Sequence, residues 1–142
     1  MSALATQAQV KPSGIYLPVK CASLVTSYPL ILTGKPVCVT ALPIIPVTEF
    51  EAVSKMGSMR SVIYFDITLS GKGFDTLVQL RNSFPALEVV LMVDGEAFML
   101  MNLGQSQITR VFRFQGVYAD FSKFKTVQQK LEREVKAMKA GN

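Results

Sequence analysis

Asp66 is the only acid embedded in an apolar run, VIYFDITLSG. An ionised carboxylate there is expensive unless it emerges into a polar crevice at the end of its strand. Two readings follow: a cap for the next turn, or a carboxylate nucleophile or ligand at a sheet's edge. The rest of the chain is poor in reactive groups. It contains no histidine, which excludes Ser-His-Asp triads, Cys-His pairs, His-ligated zinc and imidazole acid–base chemistry. Its two cysteines, Cys21 and Cys38, make no disulfide framework and lack metal-ligand spacing. Lys35 and Lys72 lie near Gly34 and Gly71, but without the order of a phosphate loop. With no acid–base pair, metal cluster or activated nucleophile, the expectation is a non-enzyme without metal or cofactor.

The elements that would position Asp66 follow from the hydrophobic pattern. At 142 residues, 49% apolar and 18% charged, the chain suits one ordered domain. A tail over residues 1–12, a domain over 13–139 and an end or linker start at 140–142 are expected. Ile15–Val19 and Lys35–Leu42 read as strands, and Ser23–Thr33 leaves room for a short helix from Tyr28. Thr48 with Glu51 forms a capping box that predicts a helix over Glu49–Met59. Ser61–Ile67 and Val89–Val93 read as buried strands. Phe74–Ser83 has helical spacing and stops at Phe84-Pro85. Asp94-Gly95 turns the chain into Glu96–Leu103. A strand lies within Val111–Tyr118, and Phe124, Val127, Leu131, Val135 and Met138 mark the clearest amphipathic helix. Repeated strand-then-helix units predict an α/β domain: a flavodoxin-like, doubly wound, five-stranded parallel sheet with helices on both faces.

Residues 62–85, VIYFDITLSGKGFDTLVQLRNSFP, resemble the middle of a two-component response-regulator receiver domain of the kind that precedes a helix-turn-helix DNA-binding domain. The resemblance puts Asp66 on the phospho-acceptor, Gly71 and Gly73 on the following loop, and Gly73-Phe74-Asp75 at the helix entrance. It implies a crevice shared by Asp66, Lys20, Gly71, Val93 and Asp120. The departures are chemical. Lys20 and Cys21 stand where receivers place their metal-binding acids, Val93 stands where they place a hydroxyl, and Asp120 replaces a lysine. Lys20 would then substitute for the cation and pair with Asp66. The resemblance therefore implies a degenerate, phosphorylation-independent receiver that acts through its surface.

Residues 1–109 carry seven basic and seven acidic groups, so the net charge of +5 belongs entirely to residues 110–142. That region holds the candidate partner-binding residues Arg110, Arg113, Tyr118, Lys123, Lys130 and Arg133. The expected function is a regulatory interaction module that homodimerises or docks a protein in transcriptional or signalling control. The alternative is a structural subunit of a phage, conjugation or secretion assembly. Weak nucleic-acid contact through the basic region is a further expectation. The apolar runs fall far short of a transmembrane span and the first ten residues have no basic n-region, so a cytoplasmic, membrane-free location is expected.

Overall fold

The computed structural model describes residues 11–22, 25–104 and 107–141. The expected tail falls mostly on residues 1–10, which lie outside the described residues, as do 23–24 of the expected short helix. Among the described residues eleven strands and two α-helices follow one another, and every strand pair is antiparallel. The parallel, doubly wound sheet expected from the sequence is therefore incorrect.

One sheet has the order β10 (Glu96–Asn102), β9 (Glu88–Val93), β1 (Gly14–Tyr16), β5 (Ile45–Pro46). β1 runs almost directly into β2 (Pro18–Val19), which pairs with β4 (Pro36–Val39), and β4 pairs with β3 (Tyr28–Pro29). The segment after β3 reaches β10, with the Ile31 N–H donating to Ala97 O at 2.9 Å and the Leu32 N–H to Phe98 O at 3.4 Å. These strands thus curl around a small second core of Tyr16, Leu30, Val37, Val39, Val90, Met92 and Ala97.

The remaining sheet is built on β8 (Val62–Leu69), with β11 (Val111–Val117) along one side. Along the other lie β6 (Phe50–Val53) and β7 (Gly57–Met59). The two larger sheets meet α1 (Gly71–Ser83) and α2 (Phe121–Ala140) in the main core. Phe65 of β8 stacks on Phe98 and Phe114 and meets Phe124 edge-on. A Cβ on Gly116 would lie 2.6 Å from the Phe124 ring, so β11 needs glycine where α2 crosses it.

The apolar run of β9 explains how the parallel expectation arose. Such runs mark strands covered on both faces, usually by helices. β9 is indeed covered twice, but by two cores: Val89, Leu91 and Val93 face the main one, Val90 and Met92 the second. Asp94 and Gly95, at φ 54° and 79°, then form a two-residue hairpin turn into β10, a use for which Asp-Gly is well suited.

The helix expected over Glu49–Met59 is also absent. A 3-10 turn at Val47–Glu49 leads into β6 and β7, which together line β8. The pairing demand of an eight-residue central strand overrides the local capping signal. The helix cap is Ser70, whose Oγ accepts from the Gly73 N–H at 3.0 Å and donates to Glu49 Oε1 at 2.6 Å. The amphipathic helix expected near the C-terminus is present, with Phe124, Val127, Leu131 and Val135 buried.

Cys21 and Cys38 are disulfide-bonded, which corrects the expectation drawn from their small number. The bond fastens the segment after β2 to the neighbouring strand β4 and spans 17 residues. Reduction should cost about 3 kcal/mol if chain entropy dominates, read as a lower melting temperature in dithiothreitol and reproduced by the Cys21→Ser, Cys38→Ser double variant. Equal melting with and without reductant would assign the clip no stabilising role.

Tyr16 is fully buried, and its hydroxyl donates to Pro12 O at 2.6 Å. Burial, reinforced by Tyr28, pushes its pKa up to about 12. The folded state therefore favours neutral Tyr16. This contribution is complete below the ordinary tyrosine value of about 10 and is lost as pH climbs through 12. Circular dichroism should show destabilisation across that interval, with a flatter alkaline limb in Tyr16→Phe. The variant should lose about 1 kcal/mol at neutral pH with its hydrogen bond. An unchanged alkaline slope would remove Tyr16 as the cause.

Candidate functional site

The sheet built on β8 buries one face and offers the other to solvent. Along β8, Ile63, Phe65, Ile67 and Leu69 point into the core, while Val62, Tyr64, Asp66 and Thr68 alternate outward. β11 repeats the pattern, with Phe112 and Phe114 inside and Val111, Arg113, Gln115 and Val117 outside. The antiparallel register sets Arg113 opposite Asp66, Gln115 opposite Tyr64 and Val117 opposite Val62. On the other side of β8, Gly57 faces Tyr64 and Met59 faces Val62.

Asp66 lies inside β8 and does not emerge at a strand end. Its carboxylate accepts from Arg113 Nε at 2.8 Å and Nη2 at 3.0 Å. The Asp66 N–H donates to Ser54 Oγ, and its carbonyl accepts from the Ser54 N–H, both at 2.8 Å. The Arg113 guanidinium also sits 3.8 Å from the Tyr64 ring centre. Its hydrogen bonds to Asp66 push its pKa further up, so it remains charged throughout. The Tyr64 ring in turn lies over Gly57, where a Cβ would be only 2.6 Å away. A bare backbone, an aromatic ring, a guanidinium and a carboxylate thus interlock across the strands.

One end of this face is apolar. Met59, Val62 and Val117 stand in register across β7, β8 and β11, and all three are exposed. Tyr118 follows at 66% exposure and stacks on Phe121 with ring centres 5.8 Å apart.

The crevice expected around Asp66 is not formed. Lys20 is exposed beyond β2, Gly71 is the first residue of α1, and Val93 is buried at the end of β9. Asp120 pairs with Lys123 at 4.0 Å. None of these bonds to Asp66, whose cation is Arg113 and not Lys20.

Most of the expected basic surface is paired within the chain. Arg110 Nη2 lies 2.6 Å from Glu51, and Lys130 lies 3.6 Å from both Asp94 and Glu96. Glu132 accepts from Lys55 at 3.0 Å, which with Lys136 nearby holds its carboxyl below the usual range. Arg133 is exposed on α2 beside Lys130 and Glu134.

A cleft of about 210 Å³ lies between α1 and the edges of β10 and β11, lined mainly by Leu77, Met101, Leu103, Ile108 and Phe112. Among the described residues, no group of three His, Cys, Asp or Glu is placed to hold a metal, and no helix is long and apolar enough to cross a membrane.

Sequence reasoning missed Gly57, Met59, Val62, Tyr64 and Val117. Their signal was the period-two alternation of V-Y-D-T along β8, overlooked because the strand was read as buried on both faces.

Together these features define a mainly antiparallel β-sheet domain with two helices and an open, partly apolar sheet face. No protein-family model matches the chain, no curated protein matches it, and no solved structure matches it.

Asp66→Asn should leave the fold intact, lower the melting temperature modestly and release Arg113 from Tyr64. The wild-type melting temperature should also fall with added salt more than the variant's, because this half-exposed pair is screened. Global unfolding of Asp66→Asn would instead make the carboxylate indispensable to the sheet.

Proposed function

We propose that this protein is a non-catalytic interaction module, independent of phosphorylation, that docks a protein through the outer face of the β8 sheet. The observation that carries this reading is the row Met59–Val62–Val117, extended by Tyr118. It places exposed apolar side chains side by side on three strands beside the edge of β11. Exposed apolar residues scattered singly need no explanation, whereas contiguous ones mark contact sites. The flanking Arg113 and Tyr64 are of the residue types that dominate binding energy at interfaces. They are already held in place, so little side-chain freedom remains to be lost on docking.

The charge distribution supports a protein partner over nucleic acid. Arg110, Arg113, Lys123 and Lys130 each neutralise a carboxylate of the same chain, leaving fewer cations to displace counterions from phosphates. Asp66, the one candidate for phosphoryl chemistry, is engaged by the same arginine. The Cys21–Cys38 bond favours an oxidising compartment over the cytoplasm.

A photo-activatable crosslinker placed at Val117 in cells should yield a discrete protein adduct, and the same group at Lys72, exposed on α1, should not. Val62→Lys combined with Val117→Lys should abolish the adduct from a crosslinker at Met59 while leaving the circular dichroism spectrum unchanged. Equal labelling at Lys72, or no adduct at Val117, would overturn the reading.

A further inference from the structure

The sheet edges differ in how their backbone groups are covered. The β10 edge is met by Ile31 and Leu32. Along β6, Lys139 Nζ donates to Glu51 O and Gln128 Nε2 donates to Ser54 O. On β11 the Thr109 hydroxyl brackets Val111, accepting from its N–H at 3.2 Å and donating to its carbonyl at 2.9 Å.

Cover stops beyond Val111. The Leu69 N–H donates to Arg110 O at 2.8 Å, which makes Arg110 and Leu69 a hydrogen-bonded pair. Antiparallel alternation then gives Phe112, Phe114 and Gly116 to β8 and turns the N–H and C=O groups of Arg113, Gln115 and Val117 outward. Among the described residues no neighbouring strand or side chain takes up these outward groups. Charged side chains often protect such an edge, but the only charge on this strand, Arg113, is drawn back over Tyr64 to Asp66.

We infer that the occupant of this edge is a second copy of the same chain, paired β11 to β11 about a two-fold axis at Gln115. The inference rests on the docking reading above at Val117, where that face meets this edge. One register uses every outward group, since centring on Gly116 would set Arg113 against Ala119 in the 3-10 turn Tyr118–Asp120 and leave its groups unpaired. Centring on Arg113 would oppose two guanidinium groups. Centring on Phe114 would require the Val111 groups that Thr109 already holds. Centring on Gln115 sets Gln115 against Gln115 of the second copy and Arg113 against its Val117. All six outward groups of each strand are then used, in six hydrogen bonds with no like charges opposed. Two four-stranded sheets become one continuous sheet, and the exposed Val117 gains the aliphatic stem of Arg113 from the other copy.

Sedimentation across a concentration series should show a monomer–dimer equilibrium. Gln115→Pro should weaken it about tenfold or more while preserving the monomer fold, because proline removes two of the six shared hydrogen bonds at an outward-facing position. A second test does not depend on proline being tolerated. The native cysteines are bonded to each other, so Gln115→Cys introduces the only free thiol. It should form a disulfide-linked dimer under mild oxidation, whereas Arg113→Cys and Val117→Cys, each facing a different residue, should not. Crosslinking by Arg113→Cys would overturn the proposed pairing. A monomeric protein whose Val117 crosslinker captures a different polypeptide would overturn self-association and leave the docking reading standing. A monomer with no adduct at Val117 would overturn both.

Discussion

Strand β9 must be buried on both faces, and the rest of the architecture answers that demand. Its five apolar residues Val89–Val93 alternate between two cores, so one strand is the wall between them. Exposing either face would place several large aliphatic side chains in water, each costing about 1.5–3 kcal/mol. The sheet around β8, with α1 and α2, covers one face. The strands β2, β3 and β4, fastened by Cys21–Cys38, cover the other. Because both cores share this strand, loosening one removes a boundary of the other, which favours unfolding as a single unit.

The polar interactions follow the same economy. Ser13, although buried, donates to Glu134 of α2 and accepts from the Asp94 N–H in the β9–β10 turn, tying that turn to the last helix. Lys130 of α2 reaches Asp94 and Glu96 on the same hairpin. Part of the basic excess of the C-terminal region is thus taken up inside the chain, with Lys130 holding α2 to the hairpin and Arg110 and Arg113 paired to Glu51 and Asp66. On the outer sheet face, Arg113 and Asp66 are neutralised in place, and what remains prominent is apolar.

Local pattern made several elements legible. The amphipathic spacing of α2, the helix over α1 and the runs of β4, β8 and β9 all correspond to observed elements. What pattern alone did not convey was the cover on each strand. Val89–Val93 looks the same whether helices or a second sheet lie above it, and the antiparallel choice resided in the Asp94-Gly95 turn. Thr48 and Glu51 satisfied a helix-start rule, yet β8 claimed Phe50–Val53 for its edge. Asp66 stood out as an acid among apolar residues, but its partner lies 47 positions away, a separation that no local signal bridges. The apolar row on the sheet face depends in the same way on register between three strands.

The edge of β6 has a consequence for how the chain is made. The carbonyls of Glu51 in β6 and of Ser54 just after it are covered by Lys139 and Gln128, residues that follow them by 88 and 74 positions. During synthesis from the N-terminus, β6, β7 and β8 emerge well before their cover exists. The nascent chain therefore passes through an interval in which this edge can pair with neighbouring polypeptides. Whatever shields this edge until α2 is in place thus bears on the yield of folded protein independently of its final stability.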